Sequence, residues 1–185
     1  MGWAMGRALV IVDIQNDYFP GGAHPLHAPE AAAAAARSTL DRFRADGEHV
    51  VHVQHVWDGP EATFMRPDTD GVRINDAVAP LAHEPVIRKD APNAFLRTGL
   101  EAELRGHGID QLIVCGMMTS MCVDATVRAA ADLGFTVTLV HDACAAPALR
   151  FGEVEVPAPA VHAAFVAALA EGYAEVVSAA QLAGA

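Results

Sequence analysis

Positive charge is scarce in this sequence of 185 residues: 12 Lys and Arg stand against 23 Asp and Glu, a formal net charge of -11. Phosphate backbones and anionic membrane surfaces are bound by clustered Lys and Arg, and no such cluster occurs, so nucleic-acid and membrane partners are not expected. Long apolar runs are also missing. Stretches such as ALVIVDI and QLIVCG are far too short to span a bilayer, and the N-terminus has neither the basic start nor the cleavage site of a secretory signal. The expectation is a cytoplasmic protein. There are only three cysteines, Cys115, Cys122 and Cys144, an odd and widely spaced set that matches neither a disulfide framework nor a structural zinc site. No glycine-rich turn follows the first apolar run, which continues as IQNDYF, and no P-loop is present, so a bound dinucleotide or nucleotide cofactor is not expected.

What is present is hydrophobic content, 52% of the residues, in a rhythm of short strand-like runs and Ala-rich helical stretches. That alternation defines an α/β protein: a single domain over residues 1–185, three layers, with a mostly parallel sheet of about six strands. The strands are expected at Ala8 to Asp13, His49 to His55, Val86 to Lys89, Gln111 to Gly116, Thr136 to Val140 and Glu175 to Ser178. A helix opens at Pro29 with Leu40 and Phe43 on one face and stops at Gly47; Thr98 and Pro159 mark two more starts. Trp57 to Glu84 and Cys144 to Pro157 are rich in Pro, Gly and charge, and read as long loops holding at most a short helical turn.

Ligands of an open α/β sheet bind beyond the carboxyl ends of the strands. Three reactive residues fall there: Asp13 closes ALVIVD, Lys89 closes PVIRK, and Cys122 lies just past Gly116 at a helix start. Singly, each has an ordinary explanation as a turn residue, a solvated cation or core packing. Together they form a chemical unit, because a nearby base, a cation and a helix N-terminus all favour a thiolate nucleophile, and backbone N–H groups at that terminus can receive an oxyanion.

These residues lie in three segments, ALVIVDIQNDYF, VIRKDAPNAFLRTGL and LIVCGMMTSMCVDATVRAAADLGF, followed by VTLVHDACAA. In that order they resemble the isochorismatase-like cysteine hydrolases, the superfamily of nicotinamidases and N-carbamoylsarcosine amidohydrolase, with a Rossmann-like three-layer fold. The resemblance implies a catalytic triad of Asp13, Lys89 and Cys122. It also implies a cis peptide at Met117-Met118 and an oxyanion hole formed by the N–H groups of Met118 and Cys122. Because the isochorismatases proper lack the cysteine, it further implies hydrolysis of a carbon-nitrogen bond in a small amide, ureido or carbamoyl compound, without a cofactor. Homo-oligomers, dimers or tetramers, are common in the superfamily.

The pocket walls expected on this reading are Gln15, Phe19, His55, Trp57, Phe95 and Met117, with Arg66, Arg73 and Arg150 in the two loops as carboxylate-binding candidates. Asp17 is expected to shape its turn. The nicotinamidase branch carries a metal site after the second strand. Here HVVHVQH offers His52 and His55 instead, which point to opposite faces of a strand and so cannot share an ion, and no metal is expected. Cys115 reads as buried and inert; Cys144 is the rival thiol. Three readings compete with the hydrolase: a metal-dependent nicotinamidase-like amidase, a thiol-redox protein and a non-catalytic binding relative.

Overall fold

A computed structural model describes residues 6–184. Its sheet is built from β1 (Gly6–Val12), β2 (His49–His55), β3 (Val86–Lys89), β4 (Ile109–Met117), β5 (Thr136–Ala145) and β8 (Glu175–Val177). A separate antiparallel hairpin pairs β6 (Leu149–Phe151) with β7 (Val154–Val156). The order in the main sheet is β3-β2-β1-β4-β5-β8, and every pairing is parallel. β1 and β4 occupy the centre, buried on both faces, which is why their sequences are continuous apolar runs rather than alternating ones.

The helices are α1 (Pro29–Ala45), α2 (Leu100–Gly106), α3 (Asp124–Asp132), α4 (Ala158–Ala170) and α5 (Ala179–Gly184). The chain moves from β1 to β2 in one direction and from β3 through β4 and β5 to β8 in the other. Right-handed crossovers therefore place α1 on one face and α2, α3 and α4 on the opposite one. α5 packs beside α1. Alanines 32, 33 and 36 let α1 approach the sheet closely, and Leu40 and Phe43 fill the space below them with no exposed surface. Among the described residues no helix is long and apolar enough to cross a membrane.

Several expected boundaries shift. β5 runs on to Ala145, because after a register irregularity Gly116 and Met117 pair with Cys144 and Ala145. Cys144 is thus a strand residue. The second segment, expected as a long loop, contains the β6–β7 hairpin: its residues alternate about a turn at Gly152, which has φ 58°. The first loop has the expected short turn, a 3-10 turn over Asp76–Val78. Thr98 lies one residue ahead of the α2 cap, accepting a hydrogen bond from Leu100 N–H at 3.3 Å, and α4 starts after Pro157 rather than at Pro159.

Candidate active site

The carboxyl ends of β1, β3 and β4 bring the three reactive residues together. Asp13 follows β1 in the left-handed region (φ 52°), a conformation Asp tolerates better than most residues. Lys89, the only lysine in the chain, is the last residue of β3. Cys122 sits in a π-helical turn, Thr119–Val123, between β4 and α3. Gly116 makes this convergence possible: its φ is 141°, and a Cβ there would lie 2.0 Å from the Val12 carbonyl oxygen, so only glycine lets β4 pass β1.

Lys89 links the group. Its Nζ lies 2.7 Å from Asp13 Oδ2, 3.2 Å from Cys122 Sγ, 2.9 Å from His55 Nδ1 and 2.9 Å from the Ala91 carbonyl oxygen. Three protons thus face four acceptors. The Asp13 contact is an ion pair rather than an aligned hydrogen bond, since neither carboxylate oxygen meets hydrogen-bond geometry. Both side chains are fully buried. Burial raises the Asp13 carboxyl above its ordinary value, against the opposing pull of Lys89. Burial, and then the Asp13 charge, also push the Cys122 thiol up, with Lys89 opposing. The resting sulfur is therefore a thiol. Desolvation outweighs the attraction of the Lys89 cation for a thiolate, and burial also makes Asp13 a stronger base than an ordinary carboxylate.

Burial, reinforced by the Lys89 charge, lowers His55 to about 4. The ring is neutral at physiological pH, so Nδ1 accepts from Lys89 and the ring hydrogen belongs on Nε2. Asp13, His55 and Cys122 each offer an atom within 4.8 Å of the others, a set a metal could in principle use. The residues do not fit one: the Lys89 ammonium already lies among all three, at 2.7 to 3.2 Å, where a divalent cation would have to sit. His52 faces the other way, fully buried, with Nε2 2.9 Å from Glu84 Oε2, and Glu84 is in turn held by Arg44 at 2.7 Å.

A cavity of about 230 Å³ opens onto Cys122. Its walls are Tyr18, Trp57, Phe64, Pro92, Met118 and Met121, with His55 and Asp90 as the polar members. Larger hollows exist elsewhere, but none includes a triad residue. Of the expected walls, His55 and Trp57 are in place. Gln15 is not: its amide spans β1 and β2, donating to the carbonyls of His55 (2.8 Å) and Val72 (2.7 Å) and accepting from His55 N–H (2.8 Å), which exhausts it. Phe19 lines a different hollow, since the 3-10 turn Asn16–Tyr18 directs its neighbour Tyr18 inward. Phe95 packs against Phe135, ring centroids 5.9 Å apart. Met117 lies wholly in the core; Met118 is the methionine at the cavity. Arg66, Arg73 and Arg150 are exposed and absent from its walls; Arg73 and Arg150 pair with Asp70 and Glu155. Asp17 shapes the turn, accepting from Ala23 N–H (2.9 Å) and Met65 N–H (2.6 Å). Cys144 is buried and lines a different hollow, beside the start of α1, its own thiol raised to about 12 by burial. Cys115 is likewise buried and raised.

Tyr18, Phe64, Asp90, Pro92 and Met121 complete the wall without having been singled out by sequence. Tyr18, Asp90 and Pro92 flank the strand-end residues within the recognised segments, which was the available signal; Phe64 lies in the irregular loop, where none existed. The Met117–Met118 peptide is cis. Among the described residues, Met118 N–H donates to no acceptor, and Cys122 N–H to none outside its own turn. Met118 N–H is thus an unengaged donor close to the turn that carries the sulfur.

A buried thiol, carboxylate and ammonium thus meet at the carboxyl edge of a doubly covered parallel sheet. The isochorismatase domain family matches residues 7–181, and this chain belongs to that family. Among curated relatives it is 48% identical to an uncharacterised isochorismatase family protein, YddQ, of Bacillus subtilis, over 93% of this chain and 96% of that one. It is 41% identical to a streptothricin hydrolase of Streptomyces noursei, over 74% of this chain and 49% of that one. A crystal structure assigned as an isochorismatase hydrolase from Oleispira antarctica superposes over 100% of both chains with a TM-score of 0.95 and 42% identity. The N-carbamoylsarcosine amidase of Thermoplasma acidophilum does so with a TM-score of 0.78 and 28% identity, over 95% and 97%. Members of the family are hydrolases, many of them amidases.

Proposed function

We propose that this chain is a cysteine amidohydrolase that cleaves a carbon-nitrogen bond of a small, uncharged amide through a thioester on Cys122. The observation that carries the reading is the single lysine, buried between the Asp13 carboxylate and the Cys122 thiol beneath an apolar cavity. A structural ion pair would not need a thiol as its third member.

In the proposed mechanism Asp13 takes the thiol proton as the sulfur attacks the carbonyl carbon. The oxyanion accepts hydrogen bonds from Met118 N–H, which is unengaged in the free enzyme, and from Cys122 N–H. The carbon-nitrogen bond then breaks as Asp13 passes its proton to the leaving amine. A water, giving a proton to the same carboxylate, attacks the thioester carbon; the carbon-sulfur bond breaks and the proton returns to sulfur. Lys89 keeps the Asp13 charge stable during these transfers and positions His55, whose Nε2–H is available to a polar group of the substrate.

The cavity also narrows the substrate. No arginine lines it, and the one ammonium beneath it is committed to four partners. A carboxylate-bearing amide would be buried there without a counter-charge, at a cost of several kcal/mol, so a flat neutral amide that stacks between Trp57, Phe64 and Tyr18 is favoured. The test is ammonia release from a panel of neutral aromatic and aliphatic amides alongside carboxylated and carbamoyl analogues. Turnover of neutral amides that is abolished in Cys122→Ala and Asp13→Asn supports the reading. Equal or better turnover of carboxylated compounds contradicts the substrate class, and activity surviving Cys122→Ala contradicts the mechanism.

A further inference from the structure

A second cluster of ligating groups lies at the opposite, amino-terminal edge of the sheet. β2 begins there with His49, the first turn of α2 delivers Glu103, and His107, four residues on, caps the end of that helix. His49 Nε2 is 3.1 Å from Glu103 Oε1. The two imidazoles are stacked, ring centroids 4.2 Å apart at 24°. One atom from each of the three residues lies within 4.8 Å of the other two. We propose that His49, Glu103 and His107 form a binding site for a divalent transition-metal ion such as zinc, clasping β2 to α2 and distinct from the hydrolytic centre.

The donor set, two imidazoles and a carboxylate, is one zinc favours, with bond lengths near 2.0–2.2 Å. Tetrahedral bonds of that length put neighbouring ligand atoms about 3.4 Å apart, so the His49–Glu103 separation already fits. A modest rotation of the exposed His107 closes the third corner. Its Nδ1 lies 3.3 Å from Glu103 Oε1 and 2.9 Å from the Glu103 carbonyl oxygen, so Nδ1 is the atom that faces the cluster and exchanges the carbonyl contact for the ion. A hollow of about 440 Å³ lined by both histidines, with His83 and Glu48 on its wall, provides access and room for a water or a fourth side chain. Unlike the Asp13–His55–Cys122 set, no lysine or arginine stands among these three atoms in any recorded contact.

The catalytic thiol could also take up zinc, so the experiment is a calorimetric titration of zinc chloride into Cys122→Ala, with and without His107→Ala or Glu103→Gln. Expected are one equivalent bound by Cys122→Ala with a raised thermal midpoint, and an affinity at least tenfold weaker, with the midpoint rise lost, in either double variant. His107 is exposed, so its removal leaves the fold intact; circular dichroism confirms this, and Glu103→Gln provides the independent second variant. Binding by Cys122→Ala only at millimolar zinc, or equally tight binding after His107→Ala and Glu103→Gln, overturns the proposal.

Discussion

Replacing Lys89 with methionine, close in length but uncharged, separates two roles of the ammonium. Asp13 and Lys89 have fully buried side chains 2.7 Å apart. Removing one partner of such a pair strands the other as a buried charge, a loss of about 3–5 kcal/mol. Burial already raises the Asp13 carboxyl in the wild type, and without Lys89 the attraction that opposes it is gone, so the carboxyl rises further. The sign follows. A carboxyl raised in the folded state prefers its proton there, so the deficit of Lys89→Met is full above the variant's Asp13 pKa. It shrinks by at most about 1.4 kcal/mol per pH unit as the pH falls below that value, until the wild-type Asp13 is protonated too. Urea denaturation of both proteins from pH 8 to pH 5 measures this directly. A deficit below about 1 kcal/mol, or one that does not shrink on acidification, refutes the assignment of Lys89 as counter-ion to a buried carboxylate. Turnover falls by roughly 10²–10³ in the same variant even where its stability recovers, because protonating Asp13 removes the base.

Other outcomes follow from the same geometry. The pH profile of kcat/KM has its acid limb above the ordinary carboxylate range near 3.8, rising with pH as Asp13 loses its proton, and a limb at or below 3.8 would contradict burial as the controlling influence. Gly116→Ala destabilises by more than about 3 kcal/mol, since the new Cβ meets backbone and the φ is unsuitable, whereas Gly47→Ala, with open space and φ 68°, costs about 1 kcal/mol; urea melts of the pair decide. Glu84 is lowered to about 2 because, although burial raises it, hydrogen bonds from Arg44, Leu81 N–H and His52 prevail. The stability it lends is full above about pH 4.5 and lost as the pH falls towards 2, so Glu84→Gln flattens the acid limb of the stability curve. Phe43→Ala, under α1, costs about 3–5 kcal/mol in the same assay.

The sheet was legible because a parallel strand covered on both faces must be apolar throughout, and VIV, VVHV and LIVC could be little else in a chain this short. The convergence of three reactive residues was legible for a related reason: an Asp, a Lys and a Cys at the ends of such strands interrupt patterns that packing alone would continue. Side-chain direction was not. Tyr18 and Phe19 are adjacent, and which one enters the cavity is set by the 3-10 turn between Asn16 and Tyr18, held by the Asp17 side chain against Ala23 and Met65. Gln15 looked like a substrate ligand because it follows Asp13. It is consumed by carbonyls forty and fifty-seven residues away, partners no local pattern reveals. The depth of the thiol is hidden for the same reason: the cation is visible in sequence, but the burial that raises Cys122 is a property of the assembled core.

The account rests on covalent chemistry at Cys122. Rapid quenching of the protein with a neutral amide substrate, followed by intact and peptide mass analysis, should show a transient acyl group on the peptide carrying Cys122. It should be absent from Cys122→Ala and unaffected by Cys144→Ala. An acyl group on Cys144, or turnover with no acylated enzyme at any time point, would contradict it.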